Sequence, residues 1–332
     1  MKLSVIIVSY NTRALTLACI ASVYRETGSD CEIIVVDNAS TDGSARAIHR
    51  VFPPDRYPDL RLYELEQNIG FAAANNLAAT EARGEYVLLL NPDTVVLDRA
   101  LDRLVRFADG HPEYGIYGGS TVFADGSRNP TAGWMKPTLW SMFCGAIGLS
   151  RLFRRSRLFN PEVVLCDKGD PPRRVDVVGG CLLLMKREHW QQLRGLDEEF
   201  FMYGEDDDLC FRALKQNLNA LLVPQAQIVH HGGASETVRS DKLTKLFRAK
   251  AQLFHKHYSP IDARVRVSLL QLWVVMRIVY MTPGSIISSA AKSTRSEWLE
   301  TWRARGFWTE PVRSFVKQPE AGLTCGTKAT EQ

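Results

Sequence analysis

Residues 203–212 read YGEDDDLCFR and set four carboxylates in a row, Glu205 to Asp208, between Phe200–Phe201 and Leu209. Acid runs usually sit in solvated loops, yet this one is flanked by Phe, Met, Tyr, Leu and Cys and so lies near apolar surface. Like charges held together there repel, and burial disfavours ionisation, so at least one pKa rises. A carboxylate of that kind can take a proton from a hydroxyl within hydrogen-bond reach. An acidic first helical turn explains the composition equally well, because the helix dipole and free N–H groups favour negative charge there. On a helix Asp206, Asp207 and Asp208 point about 100° apart and cannot share one role. Asp208, four residues before Arg212, suits an i,i+4 ion pair, and Asp207 is left to solvent or capping.

Four other polar motifs carry possible chemistry. In LLLNPDT, Asn91 and Asp93 stand two apart around a proline that breaks the strand ladder, so both side chains can project from its end. An oxygen pair of this kind suits Mg²⁺ or Mn²⁺ bridging a diphosphate, and it also fits an Asx-Pro turn that Asp93 merely caps. VVDNAS puts Asp37 at a strand tip, where a carboxylate can accept the imide N–H of uracil or thymine or else cap a helix, a task for which Thr41 and Asp42 are better placed. QNIGFAAANN sets Asn68 and Gly70 at a strand-to-helix turn, either an ordinary loop or a place where free N–H groups meet a nucleotide. IVHHGGAS ends a strand with adjacent histidines that point to opposite faces, so one of them, His230, is available to a metal shell or a phosphate, and Gly232–Gly233 allow close backbone approach.

The elements that must hold these residues alternate. LSVIIVS (3–9), EIIVVD (32–37), LRLYEL (60–65) and EYVLLLN (85–91) read as strands. Helical spacing fills 13–26, the stretch opening at TDGS and about 71–82 between them. Apolar strands between helices indicate an α/β fold with a mostly parallel sheet covered on both faces, whose ligands bind beyond the carboxyl ends of the strands. SYN, DNAS, QNIG and NPDT all fall at those ends. No GxGxxG follows the first strand and no GxxxxGK[ST] occurs, so the ordinary dinucleotide and P-loop readings lose their main support. Further on, VDVVGGCLLLMKRE (175–188) reads as a buried strand, DDLCFRALKQ as a helix start, NALLVPQAQIVHH as a strand and about 241–257 as a helix. Residues 1–240 are expected to form the core, divided near 110, 241–309 a basic helical extension and 310–332 a disordered tail.

The totals agree with a globular chain. Of 332 residues, 45% are hydrophobic and 23% charged, and the net charge of +4 is too small to argue for nucleic acid. That charge is uneven: 26 Lys/Arg face 30 Asp/Glu in 1–240, against 15 and 7 in 241–332. Seven single cysteines without a CxxC pair fit a reducing compartment and a cytoplasmic location. The opening MKLSVIIVSYN stops being apolar after Val8 and has no small-residue cleavage site, so it reads as a first strand rather than a leader.

Taken in order, SVIIVSYN, VVDNAST, QNIGFAAANN, LLLNPDT, GLDEEFFMYGEDDDLCFR and HHGGAS resemble the family-2 (GT-A fold) inverting glycosyltransferases. They are most similar to the bacterial rhamnosyltransferase-like branch working on cell-envelope polysaccharides, over about residues 1–235. The resemblance implies a nucleotide-diphosphate sugar donor, Mn²⁺ or Mg²⁺, and a glycan or lipid-linked glycan acceptor. NPD stands where many members carry DxD, so Asn91 replaces the first acid and Asp93 remains the expected metal ligand, with His230 in support. The family's catalytic base falls on Asp206, beside Glu205 as the group orienting the acceptor. Ser9, Asn11, Asp37, Asn68, Gly70 and Asn91 are expected around the nucleotide, and Trp134, Gly179 and Gly180 on the acceptor side.

Two apolar stretches bear on the acceptor. Residues 137–159 join a Trp-containing segment to Arg151, Arg154, Arg155 and Arg157, and 267–281 are apolar on nearly all sides. Both read as too short to span a bilayer. They are either core helices or helices lying against the cytoplasmic face of the inner membrane, the arginines of the first favouring an anionic surface. Two rivals stand beside the transferase: a sugar nucleotidyltransferase, which would normally show a glycine-rich basic loop where SYNTRAL has no glycine, and a non-catalytic glycan- or nucleotide-binding module.

Overall fold

The structure, a computed structural model, describes residues 1–310 apart from 29, 233–238 and 288, so all but the first residue of the tail expected over 310–332, and Gly233 of the histidine motif, lie outside the described residues. The first third alternates as its pattern predicts: β1 (Leu3–Ser9), α1 (Arg13–Glu26), β2 (Cys31–Asp37), α2 (Ser44–Val51), β3 (Leu60–Glu64), α3 (Phe71–Thr80) and β4 (Tyr86–Leu90). Next come β5 (Thr94–Val96), α4 (Ala100–Gly110), β6 (Ile116–Val122), β7 (Gly133–Trp134), α5 (Leu139–Ala146) and α6 (Leu149–Leu152). Then follow β8 (Arg173–Val175), β9 (Val177–Val178), β10 (Leu182–Lys186), α7 (Arg187–Leu193), α8 (Glu205–Leu214) and β11 (Ala220–His230). The described chain closes with α9 (Arg239–His257), α10 (Pro260–Ile287), α11 (Ser289–Arg303) and α12 (Arg305–Thr309).

The main sheet runs β3-β2-β1-β4-β10-β6-β11-β5, with β8 alongside β11. It is parallel from β3 to β4, where the alternation is regular. Beyond that it is mixed, since β10 lies antiparallel to both β4 and β6. Strand periodicity buries both faces. Leu3, Val5 and Ile7 meet Ile33, Val35 and the helices α1 and α4 on one side; Ile6 and Val8 meet Ile34, Val36 and the alanines of α3 on the other.

Two expectations change here. The apolar run over 175–188 is not one strand: Val175 pairs with β11, Val177–Val178 pair with β7 in a separate ribbon, and Gly179–Gly180 turn the chain into β10. Its last residues, from Arg187, are already helix. The helix after DNAST begins at Ser44 with Gly43 at its N-cap, so neither expected cap holds that position: Asp42, one residue earlier, accepts from the Ser44 N–H at 3.0 Å, and Thr41 bonds Asn11 instead.

The C-terminal helices own a third core, in which Phe247, Phe254, Leu270, Val274, Trp298 and Trp308 close around Met142 of α5. Helix α10 corrects the reading of 267–281: with Pro260 opening its first turn, the stretch Pro260–Pro283 is long and apolar enough to cross a membrane by length and composition. It is also docked. Near its start Arg266 is buried, pairs with Asp262 and donates to the Pro137 carbonyl at 2.8 Å, while Val265, Val279 and Tyr280 stand exposed along the rest.

Candidate active site

The carboxyl ends of β1, β2 and β4 meet at one edge of the sheet, Ser9 being in register with Asp37. A cleft of about 480 Å³ opens there. Of the residues nominated from sequence it is lined by Asn68, Gly70, Asn91, Asp93 and His230 on one side and by Trp134, Gly179, Gly180, Glu205 and Asp206 on the other. Ser9, Asn11 and Asp37 are not in its wall.

Each of those three has a local reason. The Ser9 hydroxyl turns toward α1 and shares a buried cluster with Thr12 and Thr16, at 3.2 and 2.9 Å. Asn11, at φ +53°, ties two strand ends together by accepting from the Thr41 N–H at 2.8 Å. Asp37 is buried, accepts from the Ser40 N–H at 2.7 Å, and leaves its second oxygen buried without a partner among the described residues. Burial pushes its carboxyl above the ordinary range, with Glu64 and Asp42 adding to the effect. The wall beside it is Asn38, which sequence reasoning passed over. Asn38 donates to Asn68 Oδ1 and accepts from the Ile69 N–H. Gly70 N–H is spent on Asn68 and Phe71 N–H on the Phe201 carbonyl, so the free amides expected at this turn are already bonded.

After β4, the Asn91 carbonyl accepts from the Thr94 hydroxyl at 2.7 Å, which fixes the NPD turn. Asn91 Oδ1 is left buried and unpartnered among the described residues. Asp93 lies 3.4 Å from His230 Nε2, and His230 Nδ1 contacts the Thr131 hydroxyl at 3.0 Å. Burial works against both charges, yet the contact holds them: Asp93 sits below the ordinary carboxylate range and His230, beside Asp93 and Cys181, is pushed up to about 10. No group of three or more His, Cys, Asp or Glu gathers for a metal among the described residues. Asp93 and the orphaned Asn91 oxygen, joined by His230 once it gives up the proton it shares with Asp93, still suit a hard cation that takes its remaining ligands from a diphosphate and water.

Across the cleft, Gly204 at φ +85° turns the chain into α8. Glu205 is buried with Oε2 unpartnered among the described residues, and burial, then Asp206 and Asp207, raise its pKa well above the ordinary value. Asp206 accepts from the Gly180 N–H at 3.0 Å and the Asp207 N–H at 2.9 Å, and burial raises its pKa against those bonds. Asp207, expected to be solvated or capping, accepts from Trp134 Nε1 at 2.9 Å and is pushed up to about 7 by burial and by Asp206. Buried Glu205, Asp206 held by the Gly180 amide, and the Asp93–His230 pair thus line a single cavity.

The sequence matches the model of glycosyl transferase family 2 over residues 4–178, more than half of the chain. The chain belongs to glycosyl transferase family 2. A second model, described as the N-terminal domain of galactosyltransferase, matches residues 163–233, which include the acid run. Among relatives, the N-acetylglucosaminyl-diphospho-decaprenol L-rhamnosyltransferase of Mycobacterium tuberculosis is 28% identical over 69% of this chain and 76% of its own. The low-salt glycan biosynthesis hexosyltransferase Agl10 of Haloferax volcanii is 24% identical over 84% and 85%. The mannosyltransferase PcManGT of Pyrobaculum calidifontis, solved with GDP-mannose and Mn²⁺, superposes with a TM-score of 0.56 over 93% of this chain and 86% of that one, at 18% identity, and shares the GT-A fold.

In this family-2 glycosyltransferase the Gly179–Gly180 turn links the two sides of the cleft. A Cβ at Gly179 would stand 2.4 Å from the Thr131 carbonyl, whereas one at Gly180 meets nothing nearer than 3.8 Å. Gly179→Ala should therefore cost about 1–3 kcal/mol and Gly180→Ala less than about 0.5 kcal/mol. Denaturant midpoints of the two variants check this; equal values would rule out the close approach. Thr131, Asn38 and Lys250 were missed from sequence because each is a common residue type placed by tertiary contacts. Only Lys250 left a trace, as part of the basic excess after residue 240.

Proposed function

We propose that this glycosyltransferase is inverting and metal-dependent, and that it moves a sugar such as rhamnose from a dTDP- or UDP-linked donor to a lipid-linked or cell-envelope glycan. The observation that carries the reading is the placement of Asp206 on the Gly180 amide, facing Asp93, Asn91 and His230 across one cleft. The acceptor hydroxyl oxygen bonds to the anomeric carbon as the bond to the diphosphate oxygen breaks. The electron pair leaves with the diphosphate, and the hydroxyl proton passes to Asp206. A divalent cation held by Asp93 and Asn91, with His230 beside them, would supply neutralisation of the leaving diphosphate. Glu205 orients the acceptor, and Asn38 and Asn68, which line the cleft, receive the base, with Asp37 behind the wall next to Asn38. The names of the mycobacterial rhamnosyltransferase and of the GDP-mannose and Mn²⁺ complex support the sugar, the lipid diphosphate and the metal.

Calorimetric titration with dTDP, UDP and GDP, each in Mn²⁺ and in EDTA, tests this. One nucleotide should bind tightly in Mn²⁺ and lose affinity in EDTA. Folded protein that binds none of them would sink the reading.

We further propose that the enzyme works at the cytoplasmic face of the inner membrane, a reading supported by an exposed face that mixes apolar and cationic groups. Trp140, Phe143, Leu152, Phe153 and Leu158 are exposed, and Arg151, Arg154, Arg155 and Arg157 stand exposed among or beside them. Each basic residue near an anionic leaflet contributes about 1 kcal/mol. Reversing Arg154 and Arg155 to glutamate should cut partitioning onto phosphatidylserine vesicles by at least about tenfold, since the lost attraction is on the order of 2 kcal/mol or more. Co-sedimentation unchanged by the reversal would remove the membrane contact.

A further inference from the structure

A second cavity, of about 190 Å³, lies beside the cleft and has no part in the assignments above. Its walls come from α5 (Ser141, Met142, Gly145), from residues 160–163, and from Phe254, Leu270 and Trp273 of α9 and α10. The two hollows share structure. Met135 N–H donates to the Glu162 carbonyl at 2.9 Å and Trp134 bridges Val163, so the segment carrying the cleft's Trp134 is stitched to the one carrying the cavity's Glu162 and Val163. Lys250 lines both hollows. Its charge favours the ionised forms of Asp206 and Asp207, and it has no hydrogen-bond or ion-pair partner among the described residues. In the cavity wall the Trp273 indole N–H is buried and likewise unpartnered among the described residues.

From Asp206 outward the order is thus a proton acceptor, an unpaired ammonium and a largely apolar hollow with one spare N–H donor. A sugar joined through a diphosphate to a hydrocarbon presents a matching order of hydroxyl, anion and apolar stem. The Glu162 carboxylate in the wall opposes an anion inside and leaves the diphosphate at the Lys250 neck. We propose that this cavity seats the first isoprene units of a polyprenyl-diphosphate-linked acceptor, with Lys250 holding the diphosphate where cavity and cleft meet. The proposal rests on the transferase reading above and deepens it by placing the acceptor's lipid.

Gly145 makes the test clean. A Cβ there meets nothing closer than 4.0 Å, from Ser150 and Trp273, and its backbone is helical, so leucine grows into the hollow without strain. Farnesyl diphosphate is titrated calorimetrically into the full chain in EDTA, with farnesol, inorganic diphosphate and dodecyl phosphate as comparators, and dTDP and UDP are titrated separately in Mn²⁺. Gly145→Leu should bind farnesyl diphosphate at least tenfold more weakly with nucleotide affinity unchanged. Lys250→Gln should cut the preference for farnesyl diphosphate over farnesol at least fivefold, which keeps the proposal testable if the leucine variant folds poorly. Equal affinity in Gly145→Leu, or inorganic diphosphate or dodecyl phosphate binding the wild type as tightly as farnesyl diphosphate, overturns it. Nucleotide binding without farnesyl diphosphate binding sinks the cavity assignment alone. Farnesyl diphosphate binding without any nucleotide binding sinks the donor reading and leaves the cavity its ligand.

Discussion

Asp206→Asn should bind the donor nucleotide as the wild type does and transfer sugar about 10²–10⁴-fold more slowly, the usual worth of a positioned general base. The exchange is nearly isosteric, and the new amide oxygen can still accept the Gly180 N–H that now sits 3.0 Å from Asp206 Oδ2. What it loses is the lone pair that takes the acceptor's proton. Stability separates this from a structural role. Because burial raises the Asp206 pKa in the folded state, the stability tied to this group is present at low pH and declines as pH rises through that raised value. The asparagine variant escapes that decline, so its melting temperature should match the wild type at low pH and exceed it in alkaline buffer. The same ionisation should make wild-type kcat climb with pH, with an apparent pKa above the ordinary carboxylate range that belongs to Asp206 and Asp207 together. Full transfer by Asp206→Asn would move the base elsewhere in the acid run; reduced transfer with a lowered melting temperature would make Asp206 a scaffold.

How much of this was legible turned on which residues act through local sequence. The strand ends were, because period-two apolar runs fix where β1, β2 and β4 stop, and Asn91 and Asp93 stand just past the last of them. The helix of the acids was too, through Gly204 and the 3.6-residue spacing that sets Asp208 on Arg212 at 2.7 Å. Ser9 was misplaced because the last residue of a strand can face either layer, and the hydroxyls of Thr12 and Thr16 drew it inward. The Gly70 turn reads as open N–H groups until Asn68 and the Phe201 carbonyl, the latter some 130 residues away in sequence, arrive to use them. The run over 175–188 hides four pairings, since apolar character marks burial and not which partner strand provides it. Lys250 and Thr131 carry no local mark; the tertiary fold alone brings them to the cleft.

Asp208→Ala should act on stability, with a loss of about 3–5 kcal/mol, the usual cost of breaking a buried ion pair from one side. Asp208 is 0% exposed and receives Arg212 at 2.7 Å, Lys256 at 2.6 Å and His257 at 2.7 Å. Two of these partners come from α9, so the carboxylate fastens the acid helix to the C-terminal helices that form the wall of both cavities. Alanine would leave His257 buried against the edge of Phe211 with no anion to face, and Arg212 with only the Leu193 and Gly195 carbonyls. Burial alone would raise the Asp208 pKa, but His257, Arg212 and Lys256 bring it down to about 2. A depressed folded-state pKa means that this stabilisation is complete above the unfolded value, about 3.9, and is lost as pH falls toward about 2. Urea midpoints measured at neutral pH and near pH 3 should therefore differ less in Asp208→Ala than in the wild type. Asp208→Asn, which keeps a hydrogen-bond acceptor but no charge, should fall between them. Transfer should follow the folded fraction in these variants, since Asp208 faces α9 while Asp206 faces the cleft. An Asp208→Ala protein as stable as wild type would mean that packing of Phe211, Leu209 and Cys210 alone holds α8, and that the fourth acid of the run is dispensable to the fold.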